Sequence, residues 1–166
     1  GYGILELTDI KSSPYPGASV VPEYCRATYD RRLLVGETKE SVLAPITELL
    51  EDMMKKDPQL KVKASYSIGK EMCYTGNEIQ GERFFPGWLY DEKEEFVQAV
   101  YKEIKAMGFN PSITTYNFCT NGSHYAGEAK IKTLGIGPSK ENLAHTINEY
   151  IEIEQLTSVT QCYYGV

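Results

Sequence analysis

The amino-acid sequence predicts an α+β protein, in which a β-β-α-β segment is followed by an α/β layer. Three observations predict this class. A strand-like apolar pattern and a stretch rich in β-branched and aromatic residues flank a loop with two prolines, and residues 60–68 alternate between apolar and polar side chains. Apolar residues recur at three- and four-residue steps after Thr38 and again after Asp91, which is the spacing of an amphipathic helix. We place one structural unit at residues 1–80 and a second at 81–166.

The first two strands are predicted to form an antiparallel pair. Residues 3–10 have the pattern of a strand. Residues 12–17 form a loop, because two prolines there fix the backbone and lack N–H donors. The next extended stretch covers residues 19–21 and then 24–34.

A helix and a third strand complete the first unit. Thr38 is a favoured N-cap residue, and Pro45 lies early in the helix, where it can bend the axis. Pro58 helps to end the helix, and residues 60–68 follow as a strand with one buried and one solvent-facing side. The apolar stripe of the helix consists of Val42, Leu43, Ile46, Leu49, Leu50 and Met53.

The second unit follows a long irregular connection, predicted at residues 69–90. Connections of this length are usually functional or cross between domains. Asp91 is predicted to cap the next helix in a capping box with Glu94, and Gly108 is predicted to end it.

Two further strands and a terminal helix are predicted in the second unit. The strands are residues 113–118 and 131–136, and the helix covers about 154–164. Alternating helices and short apolar strands favour a layer with parallel strand pairing.

Composition excludes several classes of protein. The net charge of −6 argues against a nucleic-acid or anionic-membrane surface, because both require a basic patch. No run approaches the ~18 apolar residues of a spanning helix, and the start of the chain lacks the features of a signal peptide. Four widely spaced cysteines without a CxxC pair are interpreted as reduced thiols in a cytoplasmic protein.

His145 is the candidate metal ligand of the sequence. It follows the segment Gly135–Pro138, where a predicted strand ends in Gly-x-Gly-Pro. Ligands bind at the carboxyl edge of an α/β sheet, and a neutral imidazole there can bind a metal. Asn148 or Glu149 would orient the ring by a hydrogen bond on the side away from the metal. The alternative is a histidine with a structural or surface role.

A second candidate site is the loop formed by Asn121, Gly122 and Ser123, after the strand predicted at 113–118. Gly122 permits a close approach of the backbone to a ligand. A helix that starts at a serine offers free N–H donors to an anion such as a carboxylate. The alternative is an ordinary strand-to-helix turn.

Ordered motifs in both units resemble one known family of hydrolases. In the first unit they are Gly3-x-Leu5-x-x-Thr8-Asp9-Ile10, Pro22-Glu23-Tyr24-Cys25, Asp30-Arg31-Arg32-Leu33 and Gly36-Glu37-Thr38. In the second they are Asn117–Ser123, Gly135–Pro138 and Ala144–Ile151. Together they resemble the M20 family of metallopeptidases and amidohydrolases. The linker Phe84–Trp88 is similar to that of the selenium-metabolism hydrolases within this family.

The resemblance implies a hydrolase that cleaves an amide bond next to a carboxylate, in small peptides or N-acyl amino acids. It also implies a partial ferredoxin-like lid domain, used for homodimerisation, and the C-terminal end of a zinc-peptidase-like catalytic domain that holds two zinc ions. By position, His145 would be a terminal ligand of one metal, and Asn121, Gly122 and Ser123 would hold the substrate carboxylate. Arg32, in the lid, would contact substrate or have a structural role.

The family's early His-x-Asp motif, bridging Asp and Glu-Glu motif have no counterpart in the chain, since the pair Glu94-Glu95 falls on the first turn of a predicted helix, where acidic residues favour the helix dipole. Two-metal hydrolysis needs several ligands and a general base, which one imidazole cannot supply. We therefore expect the chain to be the C-terminal part of such an enzyme and to be inactive alone. Two alternatives are a non-enzymatic module that dimerises through its exposed strand edges and a small-molecule-binding domain of ferredoxin-like fold.

Overall fold

The computed structural model describes residues 3–166 and divides the chain into two compact units. The first unit ends at Gly87, and the second runs from Trp88 to Val166. Helices and small antiparallel sheets both occur, so the predicted α+β class is confirmed. The boundary predicted between residues 80 and 81 precedes this division. The first two residues of the predicted first unit lie outside the described part of the chain.

The first unit opens with a two-stranded antiparallel sheet, which confirms the predicted strand pair. Strand β1 (Ile4–Ser13) pairs with β2 (Tyr24–Arg32). The register shifts after Leu7, and the hydroxyl of the bulged Thr8 donates to the Thr28 carbonyl at 3.1 Å. Most side chains of both strands are exposed, so the first unit leaves this sheet largely uncovered.

Helix α1 (Lys39–Lys56) begins where the sequence predicts. The Thr38 hydroxyl accepts from the Ser41 amide at 3.2 Å, and the Ser41 hydroxyl accepts from the Thr38 amide at 2.8 Å. This reciprocal capping box satisfies two N–H groups that have no partner within the helix. Pro45 lies inside the helix, and Val42 of its apolar stripe is buried at 4% exposure.

The strand predicted at residues 60–68 is wrong in extent, since only its last residue belongs to a strand. Residues 60–67 lie outside the regular elements, and β3 (Ile68–Met72) pairs with β4 (Glu78–Glu82) in an antiparallel hairpin inside the predicted connection. The alternation has another cause, because Tyr66 is half-buried and its hydroxyl donates to the Lys39 carbonyl at 2.9 Å. Burial of one side of an extended segment produces the same alternation of apolar and polar residues as a strand, even where no neighbouring strand is hydrogen-bonded to it. The ferredoxin-like order of this unit stays a prediction.

Phe84 lies at the centre of the small core of the first unit. It is 6% exposed and meets Tyr66 edge-on, with ring centroids 5.4 Å apart. The Lys39 ammonium lies 5.9 Å from the Phe84 ring centroid and 2.7 Å from the Glu82 carboxylate. These contacts tie the start of α1 to the end of β4.

Glu37, just before α1, makes the stability of the first unit depend on pH. Its carboxylate accepts from the Leu34 amide at 2.7 Å and from the Arg31 guanidinium at 2.5 Å. The hydrogen bond from the Leu34 amide, followed by that from Arg31, lowers the pKa of Glu37 below its ordinary value of 4.5. A lowered pKa stabilises the folded state above pH 4.5, and this contribution is lost as the pH falls through the folded-state pKa.

We therefore expect Glu37→Gln to lower the free energy of unfolding at pH 7 by up to about 1 kcal/mol. The difference from the unsubstituted chain should vanish at pH 2, where both side chains are uncharged. Urea denaturation at the two pH values measures this. The matched control is Glu51→Gln on the exposed part of α1, which should have little effect at either pH. An equal loss at both pH values for Glu37→Gln would contradict the assignment.

In the second unit, helix α2 (Glu95–Ala106) begins later than predicted. Asp91 and Glu94 form a turn before the helix, in which the Glu94 carboxylate accepts from the Asp91 amide at 3.2 Å. One of the two hydrogen bonds of the predicted capping box is therefore present, whereas the Asp91 carboxylate accepts from the Lys93 amide instead of the Glu94 amide, and the first helical residue is Glu95. Gly108 follows the helix with φ +88°, a conformation that glycine adopts without strain, and the predicted end is confirmed.

Helix α3 (Ile153–Gly165) confirms the predicted terminal helix at 154–164 and packs on α2. The buried apolar side chains of these two helices are Val97 and Ile104 from α2 and Cys162 from α3, at 4%, 6% and 5% exposure. No helix within residues 3–166 is long and apolar enough to cross a membrane.

The strands predicted at 113–118 and 131–136 are wrong. Neither segment forms a ladder with any described residue, and the expected parallel layer is not found within residues 88–166. Between α2 and α3 the regular structure consists of two short helical segments, Ser123–Glu128 and Glu141–Leu143.

Candidate functional site

The loop around Asn121 leads into the six-residue helical segment Ser123–Glu128. The chain turns there because the Ser123 amide donates to the Thr120 carbonyl at 3.0 Å and the Gly122 amide donates to the Thr120 hydroxyl at 3.2 Å. Gly122 and Ser123 are buried, whereas Asn121 is exposed. The loop therefore presents the Asn121 side chain to a ligand and keeps Ser123 inside.

The four consecutive backbone amides from Gly122 to Tyr125 already donate to acceptors within the loop. Those of His124 and Tyr125 both donate to the Asn121 carbonyl, at 3.0 and 3.3 Å, and the two preceding amides donate to Thr120. The prediction of free N–H donors at this helix start is therefore wrong. Within residues 3–166 the Asn121 side-chain amide has no hydrogen-bond partner, so it is the group of the loop that can donate to a carboxylate.

Asn121 and Gly122 line a cavity of about 460 Å³ in the second unit. The Gly135–Gly137 segment, which the sequence places beside the ligand, also lines this cavity, as does Trp88. The structure thus brings together the two candidate segments that the sequence separates. Neither Ser123 nor His145 belongs to the lining.

Three aromatic side chains of the cavity bind the backbone of one segment. Trp88, Tyr116 and Tyr163 donate to the carbonyls at positions 133, 135 and 136, the first two at 3.3 Å. Burial raises the pKa of Tyr116, so its hydroxyl stays a proton donor. These hydrogen bonds satisfy three carbonyls of residues 131–136, a segment that pairs with no strand among residues 3–166.

His145 lies in an exposed turn. Its backbone is left-handed, with φ +61°, and its amide donates to the Glu149 carboxylate at 3.0 Å. Asn148 is left-handed as well, with φ +62°. This conformation is costly for residues other than glycine and concentrates at functional sites. Glu149 contacts the His145 backbone here, whereas the sequence predicts that Asn148 or Glu149 orients the imidazole ring.

Arg32 lies at the end of β2 in the first unit and pairs with Asp30 at 3.1 Å. The two side chains are 55% and 51% exposed, and a surface pair of this kind contributes little to stability. Its guanidinium is therefore accessible to a ligand, as the substrate-contact hypothesis requires.

The motifs that carry the resemblance can be tested against known proteins. Residues 10–166 match the family model described as Peptidase family M20/M25/M40. The chain belongs to this family. The relationship that the motifs indicate is therefore confirmed, and it covers both structural units. No solved structure gives a significant match to this M20 chain.

Two curated relatives of this M20 chain are informative. The uncharacterized protein YgeY of Escherichia coli K12 is 29% identical over 167 residues, which are the whole chain and 40% of YgeY. The N-formyl-4-amino-5-aminomethyl-2-methylpyrimidine deformylase of Halalkalibacterium halodurans is 29% identical over 126 residues, which are 75% of the chain and 29% of the deformylase. The chain therefore spans less than half the length of the curated relatives that it matches.

The side chains of this M20 chain that could bind a metal are not sufficient to form a two-metal centre by themselves. Within residues 3–166 no three His, Cys, Asp or Glu side chains are grouped so that they could hold one ion. The His124 imidazole pairs with the Glu128 carboxylate at 2.7 Å. The four cysteines are free thiols, of which Cys162 is buried. His145 could supply one ligand to an ion whose other ligands come from elsewhere.

The aromatic lining of the cavity was not predicted from the sequence. Trp88, Tyr116 and Tyr125 all line it, together with Tyr163 from α3. One available signal was Tyr116 with Phe118, because aromatic residues two positions apart share a face of an extended segment. The other was the single tryptophan of the chain, which directly follows a Pro-Gly pair.

Proposed function

We propose that this M20 chain is one part of a metal-dependent hydrolase that cleaves an amide bond next to a carboxylate, in small peptides or N-acyl amino acids. The observation that carries the proposal is the family match over residues 10–166. The name of one relative, a deformylase, describes removal of an N-formyl group, which is cleavage of an amide bond. The reaction would use two zinc ions in the complete enzyme, and the chain supplies part of their surroundings.

The geometry supports distinct roles for two of the candidate residues. The exposed Asn121 side chain lies at the cavity and would donate to the substrate carboxylate, with Gly122 in the cavity wall behind it. The exposed His145, held in its turn by Glu149, would be a terminal zinc ligand. Ser123 would position the loop from its buried side, and Arg32 is a second candidate for contact with the carboxylate.

We propose further that this chain alone has no amidase activity. A two-metal reaction requires an activated water and a polarised carbonyl, and both need a complete set of ligands. The two histidines of the chain, one of them paired with Glu128, cannot supply that set.

The test uses a chimera in which this chain replaces the region of YgeY that it matches. We expect the chimera to bind zinc and His145→Ala to weaken zinc binding at least tenfold, since the loss of even an indirect partner costs about 10–100-fold in metal affinity. The matched control is His124→Ala, because His124 is the other histidine of the chain. Zinc titration measures the affinity of both variants.

Two results would contradict the proposal. One is equal zinc affinity for His145→Ala and His124→Ala, which would mean that His145 is not a zinc ligand. The other is turnover of N-acetyl amino acids by the pure 166-residue chain with zinc or cobalt, which would refute its inactivity.

A second candidate function is homodimerisation through the first unit without catalysis. It is favoured by the exposed apolar side chains of β1, among them Leu5, Leu7 and Ile10 at 51%, 47% and 61% exposure. Sedimentation analysis together with metal analysis separates the two functions. A stable dimer of the 166-residue chain that binds no metal would favour this dimerisation function, whereas poor stability of the chain that an N-terminal partner rescues would favour the hydrolase.

A further inference from the structure

One of the open cavities of the second unit is lined by uncharged and largely aromatic side chains. Its volume of about 460 Å³ lies within the usual range of small-molecule sites, about 300–1,000 Å³. None of the described residues that line it carries a charge, and Trp88, Tyr116, Phe118, Tyr125 and Tyr163 supply its aromatic side chains. A charged group would find no counter-ion there, so the walls favour an uncharged ligand group.

The hydrogen bonds of the aromatic residues make the cavity more apolar than its composition indicates. The Trp88 indole N–H and the hydroxyls of Tyr116 and Tyr163 donate to backbone carbonyls. Because these polar atoms are already bonded, a ligand would contact the rings themselves. Such rings pack well against another ring or a bulky apolar group.

Two glycines set the positions of the rings. A Cβ atom at Gly122 would lie 2.6 Å from Trp88 Cη2, and one at Gly135 would lie 2.5 Å from Tyr116 Cε2. The Tyr116 ring is also stacked on Phe118, with centroids 4.8 Å apart and an interplanar angle of 25°. The aromatic walls are therefore formed before any ligand binds.

We infer that this cavity binds an uncharged aromatic or bulky apolar group of the substrate, next to the carboxylate that Asn121 would hold. The inference rests on the proposed function and narrows its substrates to N-acyl amino acids or small peptides with such a group. One ligand would then use both features, with the ring in the cavity and the carboxylate at its edge.

The experiment monitors the indole N–H resonance of Trp88 in a ¹H–¹⁵N spectrum of the chain. There is one such resonance, because Trp88 is the single tryptophan. The three probes are N-acetyl-L-phenylalaninamide, N-acetylglycine and N-acetyl-L-phenylalanine. The first has a ring without a carboxylate, the second a carboxylate without a ring, and the third has both. We expect saturable shifts of the indole resonance with both ring-containing probes, and the tightest binding with the third.

The probes separate the inference from the proposed function. An indole resonance unmoved by N-acetyl-L-phenylalaninamide overturns the inference, and this is the result expected if another polypeptide segment covers the cavity. If that probe shifts the indole but N-acetylglycine leaves the Asn121 side-chain amide unmoved, the ring site stands and the carboxylate role of Asn121 fails.

A pair of matched variants tests the position of the ring site. Phe118 in the cavity and Tyr29 on β2 of the first unit are 42% and 55% exposed. We expect Phe118→Ala to weaken N-acetyl-L-phenylalaninamide binding about two- to tenfold and Tyr29→Ala to leave it unchanged. Far-UV circular dichroism checks that both variants fold. Equal affinities for the two folded variants would place the ring elsewhere and overturn the inference.

Discussion

Replacement of Phe84 by alanine is expected to lower the free energy of unfolding of the first unit by about 3–5 kcal/mol. Phe84 is 6% exposed, and its ring contacts Tyr66 edge-on and lies beneath the Lys39 ammonium. The substitution removes apolar surface from the core and leaves a cavity that the surroundings cannot fill completely. Because a domain is typically stable by only about 5–15 kcal/mol, the loss is a large part of the total.

Urea denaturation followed by circular dichroism measures this loss. The adjacent residue provides the control, since Phe85 is 43% exposed and Phe85→Ala should cost far less. Phe84→Leu should lie between the two, because it keeps most of the apolar volume. A similar loss for Phe84→Ala and Phe85→Ala would mean that the first unit has no core at Phe84.

In the second unit, Ile104→Ala is expected to lower the free energy of unfolding by about 2–5 kcal/mol. Ile104 is 6% exposed on α2, which packs on α3, and Val97 and Cys162 are buried on the same two helices. The contact is close, since a Cβ atom at Gly165 would lie 2.0 Å from Met107 Sδ. Few other side chains of this unit are buried, so little can compensate for the lost methyl groups.

Trp88 fluorescence during urea denaturation reports on this unit, because Trp88 is its single tryptophan. The control is Ile153→Ala at the start of α3, where the side chain is 79% exposed and the expected change is within about 0.5 kcal/mol. Should both isoleucine variants unfold at the same urea concentration, the packing of α2 on α3 would not be what stabilises the unit.

Local sequence signals predicted the helices and the first sheet. The Thr38 cap begins α1, Gly108 ends α2, and the loop after β1 joins an antiparallel pair. Each of these features depends on residues close together in the chain. The hairpin of β3 and β4 escaped prediction because its strands are short and charged, so they lack an apolar face.

The candidate site was predicted in part. The sequence identified Asn121, Gly122 and the Gly135–Gly137 segment, and the structure places all of them at one cavity. The aromatic residues of that cavity come from four separate parts of the second unit, from Trp88 to Tyr163, and no local pattern connects them. The roles of His145 and Arg32 stay predictions that the zinc and ligand experiments test.

The sequence by itself determined the family, the α+β class and the helix ends, because motifs and capping residues act over short distances along the chain. Only the tertiary structure decided which extended segments pair and which side chains form the cavity. Residues 113–118 and 131–136 have strand-like patterns, yet a strand exists only where a neighbouring backbone accepts and donates its hydrogen bonds. Within this chain aromatic side chains bind carbonyls of the second segment instead.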